Sequence, residues 1–150
     1  MIELTIKNLN DNFFQQAVGK IAHCNGFQPL AAFRISKVVK QIAQETIEAR
    51  NLYKKALLDY MVSDEKGDLK KNEGGSGFIL QTGKTQKEFD DKIEELMNAP
   101  VHIQWQKFKF DDLERVGLSP TEMLAIEPMI DESSFTSEKI AVVQNMSGTH

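Results

Sequence analysis

The stretch GGSGFILQTGKT, residues 74–85, is the segment of this chain that most resembles a phosphate-binding loop. It ends in Gly83-Lys84-Thr85, as the Walker A loop of nucleotide-binding proteins ends with Gly-Lys-Ser/Thr. That loop also needs a glycine five residues before Gly83, so that backbone amides can surround a phosphate, and Phe78 stands there. A charged segment precedes the stretch, where a Walker A loop would follow a buried strand. We therefore predict a turn into a helix that Thr85 caps.

Histidine and acidic side chains could bind a metal, but their spacing does not suit one. His23, His102 and His150 share no spacing that metal ligands use. The acidic segment at residues 64–68 lacks the alternating ligands, the glycine at position six and the closing glutamate of a calcium loop. We predict no metal site.

Two further groups favour structural interpretations. Cys24 follows His23, but adjacent residues on a helix point about 100° apart and rarely act together. The carboxylates of residues 88–95 alternate with lysines, which is typical of a solvated helix face. The free amides at the start of a helix over 85–98 remain a candidate anion site. We therefore predict no catalytic residue and no cofactor, and hence a protein that is not an enzyme.

Composition limits the class of protein and its partners. With 41% apolar and 27% charged residues, the 150-residue chain is expected to fold as one globular domain that needs no disulfide. A single cysteine excludes an internal disulfide, and no signal peptide or membrane span is predicted. The net charge of −4 argues against nucleic acid as a partner. The charge is uneven, because residues 1–75 carry 11 basic and 9 acidic side chains and residues 76–150 carry 7 and 13.

The elements that must position any site begin with a strand and a short helix. In residues 1–7, apolar side chains alternate with polar ones, as in a half-buried strand. Asn10 or Asp11 can cap the next helix. Its expected apolar stripe consists of Phe13, Phe14, Ala17, Val18 and Ile21.

The longest predicted element is a helix over residues 29–62, which neither proline nor glycine interrupts after Pro29. Its apolar side chains recur at heptad spacing and predict a seam that packs against the chain's own short helices or against another copy. The helix seam consists of Ile35, Ile42, Ala49, Tyr53, Ala56 and Tyr60. We predict that these six residues form an interaction surface.

The second half of the sequence combines two capped helices with short strands. Thr85 with Glu88, and Ser119 with Glu122, form capping boxes that predict helix starts. Alternating apolar residues over 101–110 predict strands, with a slip near residues 106–107. The predicted class is α+β, with one long central helix, shorter packed helices and a small antiparallel or mixed sheet made by the N-terminal strand and residues 101–110.

The C-terminal segment differs from the rest in composition. We predict a single helix-rich domain over residues 1–130 and an extended tail over 131–150, which is polar enough to be disordered in isolation. Ile140, Val142 and Val143 belong to the apolar run in this tail. They would anchor the tail to a partner as an added strand.

Two groups of residues resemble small proteins of unknown function that tailed bacteriophages and prophages encode. The first is the end of the long helix, RNLYKKALLDY at residues 50–60, followed by a DEKGD turn. The second is LSPTE at residues 118–122 with IEPMI at residues 126–130. The resemblance covers roughly residues 1–131. That family has no settled catalytic residues, and the shared motifs are caps and helix faces.

The expected function is that of a non-enzymatic phage protein that acts through protein–protein contacts, as a virion structural component or an assembly factor. Its partners would be other copies of itself or other phage proteins, in the host cytoplasm or in the virion. The alternative is a phage-encoded inhibitor that binds a host defence protein or its small-molecule signal. Self-association and a requirement for the tail would indicate the first function. A pocket lined by basic and aromatic side chains would indicate the second.

Overall fold

The structure, a computed structural model, describes residues 1–134 and has the predicted α+β class. The helices are α1 (Ile6–Asn10), α2 (Asn12–His23), α3 (Pro29–Tyr60), α4 (Gln86–Met97), α5 (Phe110–Glu114) and α6 (Pro120–Ala125). The strands are β1 (Ile2–Thr5), β2 (Pro100–Ile103), β3 (Phe108–Lys109) and β4 (Ile130–Asp131). Single 3-10 turns cover Glu127–Met129 and Glu132–Ser134. The described residues form two compact units, a first unit of 1–46 with 100–134 and a second unit of 47–99. The predicted single domain over 1–130 stays a prediction.

The first unit contains an antiparallel pair of strands, β1 and β2. Ile2 lies opposite Ile103 and Leu4 lies opposite Val101. All four side chains are buried. The alternating pattern at the N-terminus therefore correctly predicted a strand with one face in the core.

Strand β1 ends at Thr5, earlier than the alternation predicts, because a capping box starts α1. The hydroxyl of Thr5 accepts a hydrogen bond from the Asn8 N–H at 3.3 Å. The Asn8 side-chain oxygen in turn accepts one from the Thr5 N–H at 2.8 Å. These reciprocal bonds satisfy two backbone donors that a helix start leaves free. Ile6 is buried in α1, as the strand pattern also required, so alternation alone could not distinguish the two structures.

Helix α2 begins where its predicted cap stands. The Asp11 carboxylate accepts a hydrogen bond from the Phe13 N–H at 2.8 Å. Four of the five predicted stripe residues are buried, namely Phe14, Ala17, Val18 and Ile21. Phe13 is 47% exposed, since its position beside the cap lies outside the buried stripe. The buried stripe allows α2 to pack against α6.

One ion pair joins α2 to the capping box of α6. The Ser119 hydroxyl accepts from the Glu122 N–H at 3.2 Å, and Glu122 Oε1 accepts from the Ser119 N–H at 2.9 Å. Lys20 Nζ donates to the same Oε1 at 2.7 Å. Glu122 is only 2% exposed. The lysine hydrogen bond and the Ser119 N–H lower the pKa of the Glu122 carboxyl, so it is held as a carboxylate.

Only the first part of residues 101–110, within β2, pairs with the N-terminal strand. The prediction that the whole segment joins that sheet is wrong, because β3 belongs to a second sheet. A tight turn, in which the Trp105 N–H donates to the Ile103 carbonyl at 2.8 Å, ends β2. Strand β3 then pairs in parallel with β4, with Phe108 opposite Ile130. Phe110, predicted to continue a strand, is instead the first residue of α5.

Helix α3 spans 32 residues, which at about 1.5 Å per residue makes it roughly 48 Å long. It begins at Pro29 as predicted and ends at Tyr60, two residues before the predicted end. The Gln81 side chain explains this end, because its amide donates to the carbonyls of Leu58 and Met61 at 3.0 and 2.9 Å. Carbonyls at a helix C-terminus lack partners within the helix and need such donors.

The second unit combines the C-terminal half of α3 with α4 and the connection between them. Isolated antiparallel bridges join Met61 to Leu80, Ser63 to Leu69 and Lys71 to Phe78. Phe78 and Leu80, from the short apolar run of this connection, thus pair through single bridges. Phe89 of α4 is buried, and its ring centroid lies 5.8 Å from that of Tyr60.

Candidate anion-binding groove

The Gly83-Lys84-Thr85 sequence forms the turn into a helix that its spacing predicts. Gly83 has a φ of +87°, a conformation that glycine adopts without strain. The Thr85 hydroxyl accepts from the Glu88 N–H at 3.2 Å and so caps α4. The Lys84 ammonium lies 4.8 Å from the Tyr60 ring centroid, which is within cation–π distance.

The residues of the predicted helix seam are mostly inside the molecule. Ile35, Ile42, Ala49 and Ala56 are each at most 7% exposed. Tyr60 is half-buried against Phe89, and Tyr53 is 37% exposed. Their role as an interaction surface stays a prediction, as does that of Ile140, Val142 and Val143, which lie outside the described residues.

The first unit contains an open groove that the sequence alone did not predict. Its first hollow has a volume of about 390 Å³. One wall is the first part of α3 with the residues just before it. The facing wall is the segment 105–109 with Asp112. A second hollow of about 570 Å³, which Met1 and Gln104 help to line, shares Arg34, Trp105 and Gln106 with the first. We call these two hollows together the groove.

Arg115 positions the part of the groove that Phe27 lines. Its guanidinium donates to the Gly26 carbonyl at 2.6 Å and lies 5.8 Å from the centre of the Phe27 ring. The Cys24 thiol also lies 3.9 Å from the Arg115 carbonyl oxygen. Because Arg115 is the C-cap of α5, these contacts tie the loop before α3 to α5. Phe27 is thereby held at the groove, where it is half-buried.

Gln41 and β2 position the Trp105 side of the groove. The side-chain oxygen of Gln41, on α3, accepts a hydrogen bond from the Gln104 N–H at 2.9 Å. On the other side, Trp105 is tied to Ile103 by the turn that ends β2. Trp105 is half-buried, so part of its ring stays open to the groove.

Lys107, just before β3, and Lys109, in β3, lie on the wall of the groove that faces α3. Phe108 is buried opposite Ile130, whereas Lys107 and Lys109 on either side of it are exposed. In an extended segment alternate side chains point to the same side, and both lysines line the same hollow of the groove. Asp131 has a lowered pKa, chiefly because Ser133 donates hydrogen bonds to it, with smaller contributions from Lys107 and Lys109.

The groove is positively charged in a chain that is negatively charged overall. Among the described residues, the side chains that line the groove include three cations, Arg34, Lys107 and Lys109, and one carboxylate, Asp112, which sum to +2 against −4 for the whole chain. The Asp131 carboxylate, paired with Lys109 in the strand register, offsets part of this charge. Cations gathered in a concave site raise the local concentration of anions. The arrangement can therefore bind an anion beside apolar and aromatic surface.

Metal sites and membrane-spanning helices were the other features sought in the part of the chain that the structure describes. Residues 1–134 hold no group of three or more His, Cys, Asp or Glu side chains arranged to bind a metal. Over the same residues, none of the helices combines the length and the apolar character needed to cross a bilayer.

No protein-family model matches the sequence, and no curated protein or solved structure is significantly similar to it. The fold and the groove thus define this chain as an α+β protein with an open, basic and aromatic groove in its first unit.

The signal that could have indicated the groove lies in WQKFKF, residues 105–110. Basic residues interleaved with aromatic ones are typical of surfaces that bind anionic partners. The same alternation also predicts a strand, so the sequence alone does not distinguish a binding surface from a strand here. Arg34 gave no signal, because it stands among the other polar residues of α3.

Proposed function

We propose that this chain is a non-enzymatic binding protein that recognises an anionic partner through the groove. The observation that carries the proposal is the meeting of three cations with the rings of Phe27 and Trp105 in one concavity. Charge-assisted hydrogen bonds from such cations are the strong polar contacts of recognition sites. Half-buried rings beside them supply apolar contact area.

The burial of the helix seam also supports the groove as the recognition surface. Ile42, Ala49 and Ala56 contribute to the chain's own core, so a partner would reach them only by unfolding part of it. Ile35, also buried, lines the groove itself. The groove side chains Arg34, Lys107 and Lys109 are exposed and need no such rearrangement. A partner can therefore reach the groove without the cost of unfolding part of the chain.

A binding role fits the groove better than catalysis does. Among the described residues, its lining contains no histidine, cysteine, serine or threonine. The groups that could act as a general base or nucleophile are Asp112, Lys107 and Lys109, all of which are exposed to solvent. With the phage resemblance, the proposal corresponds to an inhibitor that binds a host defence protein or its small-molecule signal.

Calorimetric titration with a panel of anions tests the proposal. The panel contains pyrophosphate, citrate, AMP and a hexaglutamate peptide, and the variant combines Arg34→Gln with Lys107→Gln. The matched control combines Arg50→Gln with Lys54→Gln, because both of these residues are exposed on α3 outside the groove. We expect at least one anion to bind the wild type and the control equally, and the groove variant roughly tenfold or more weakly.

The proposal fails if no anion on the panel binds the wild type. It also fails if the groove variant and the control lose the same affinity, because the cations of the groove would then have no special role.

A second candidate is the virion or assembly role, which the exposed apolar side chains of α3 favour. Large side chains that a monomer leaves in water often mark contacts with other proteins. They are Leu30, Phe33, Ile47, Leu52, Tyr53 and Leu58. Size-exclusion chromatography with light scattering tests this role: a stable oligomer that Ile47→Glu dissociates supports it, and a monomer at every concentration contradicts it.

A further inference from the structure

We infer that the ligand of the groove joins a planar heteroaromatic ring to a phosphate, which is the chemistry of a nucleotide. This inference rests on the proposed function and narrows its anionic partner to one class. It places the ring between the aromatic walls and the phosphate among the cations.

The aromatic residues lie on both walls. Phe27 comes from the loop before α3, and Trp105 comes from the facing segment after β2. Both are half-buried, so each has its base in the protein and part of its ring open to the groove. A planar ligand ring can stack on such faces, and a nucleobase on an aromatic side chain contributes about 1–3 kcal/mol.

The cations are arranged to receive a phosphate beside the ring. Arg34 stands between the two hollows, since it lines both together with Trp105. A guanidinium presents a planar fork of donors that matches two phosphate oxygens. Lys107 and Lys109 add two ammonium groups on the facing wall. Trp105 thus has two cations near it that could bind a phosphate: Arg34 on the other wall of the groove, and Lys107 two residues further along the chain.

Size and hydrogen-bonding groups also suit a mononucleotide. The first hollow, at about 390 Å³, falls in the range of about 300–1,000 Å³ that is typical of small-molecule sites. The side chains of Gln28 and Gln106 line it. Each primary amide offers both donors and an acceptor, the combination that the edge of a nucleobase pairs with.

An acidic peptide fits the groove less well, because carboxylates would satisfy the cations and leave the faces of Phe27 and Trp105 without a stacking partner. A long nucleic acid is disfavoured by charge. The first turn of α5 carries Asp111 and Asp112, the second of which lines the groove, so an extended phosphate chain would meet carboxylates there. We therefore assign the groove to a free nucleotide.

Trp105 provides the measurement, since it is the only tryptophan in the chain. Its fluorescence would be titrated with AMP and UMP, with adenosine as a ring without charge, and with pyrophosphate as charge without a ring. The oligonucleotide dT8 and a hexaglutamate peptide represent the two macromolecular alternatives. We expect a nucleotide to change the emission and to bind at least about tenfold more tightly than adenosine, pyrophosphate or hexaglutamate.

Each other outcome overturns a defined part of the account. Pyrophosphate or hexaglutamate binding as tightly as the nucleotides overturns the nucleotide inference and leaves the proposed function standing. If dT8, counted per nucleotide, binds more than about tenfold more tightly than AMP and UMP, the ligand is nucleic acid and the assignment to a free nucleotide is wrong. If no anion binds, both the inference and the proposed function are wrong.

Two substitutions separate the ring contact from the phosphate contact, and calorimetry measures both. Trp105→Leu should weaken nucleotide binding about tenfold and leave weak pyrophosphate binding unchanged. Arg34→Gln should weaken both. Phe13→Leu removes an exposed ring of the first unit outside the groove and should alter neither. If Trp105→Leu and Phe13→Leu behave alike, no ring stacks on Trp105.

Discussion

Arg34 illustrates what a single residue adds that a sequence pattern does not indicate. It is one of several cations on α3, yet it alone among them lines both hollows of the groove. Its partners Trp105, Lys107 and Lys109 come from a segment some seventy residues away. Spacing along a helix could predict Ile35 and Ile42 as core, because burial follows helical period. It could not predict which polar neighbour faces a distant segment.

The carboxylate of Asp112 should repel an anion in the groove, so removing its charge tests whether the groove binds anions. Asp112→Asn removes the one negative side chain among the described residues that line the groove, and it keeps the shape of the side chain. We expect anion binding to become about two- to fivefold tighter, because an exposed charge contact contributes up to about 1 kcal/mol. Calorimetry with AMP measures the change. The control is Asp90→Asn, on an exposed face of α4. Unchanged or weaker binding to the Asp112 variant would contradict a phosphate site here.

The Glu122 carboxylate should make folding stability depend on pH. Its pKa is lowered in the folded state, chiefly by the hydrogen bond from Lys20, so its stabilising contribution is present above the unfolded pKa of about 4.3. That contribution is lost as the pH falls through the folded pKa. We expect Glu122→Gln to cost about 1–3 kcal/mol at pH 7 and to flatten the loss of stability below about pH 5.

Urea unfolding between pH 7 and pH 2 measures both effects in the wild type and in Glu122→Gln. Glu127→Gln, an exposed change in the next turn, is the control. Parallel pH profiles for the wild type and Glu122→Gln would show that the ion pair does not link α2 to α6 energetically.

At the scale of elements, capping residues were the most reliable predictors. The capping boxes of α4 and α6 and the Asp11 cap of α2 stand where the sequence predicts, because a cap depends on residues within one turn. The same local chemistry at Thr5 is not apparent from the sequence, since alternation in residues 1–7 also fits a strand. Pairing of β3 with β4 depends on residues more than twenty positions apart, for which local pattern carries no information.

Arg115 links two elements and should be sensitive to a conservative change. Arg115→Lys keeps the charge but loses the fork that reaches Gly26 and lies over Phe27. We expect a loss of about 1–2 kcal/mol in unfolding free energy, from one charge-assisted hydrogen bond and one exposed cation–π contact. Because Phe27 is then held less firmly, AMP affinity should fall about threefold. Denaturation and calorimetry measure the two effects, and unchanged values in both would contradict the positioning role.

The turn at Gly83-Lys84-Thr85 should matter for a helix and not for a ligand. Thr85→Ala removes the cap of α4 and should lower the unfolding free energy by about 1 kcal/mol. Lys84→Met should leave AMP binding unchanged, because the groove lies in the first unit and Lys84 in the second. Loss of AMP binding in the Lys84 variant would locate the phosphate site at this turn, contrary to our account.

For the whole molecule, the local sequence patterns predict the fold class better than they predict its division into units. The α+β class and the long helix followed from period and caps, whereas two compact units share that helix along the chain. A continuous heptad pattern has no feature that marks position 46 or 47 as a boundary, since the seam is apolar on both sides. The overall charge of −4 likewise conceals a local charge of +2, because a sum over the chain carries no positions.

The most direct test of the central claim is a nuclear magnetic resonance titration of the ¹⁵N-labelled full chain with AMP. If the groove is the recognition surface, the Trp105 indole N–H and the amides of Arg34, Lys107 and Lys109 should shift together and saturate. Amides of α4 should stay in place, and Arg34→Gln with Lys107→Gln should abolish the shifts. Saturable shifts that centre on residues 83–88, or no saturable shift at any amide, would contradict the account.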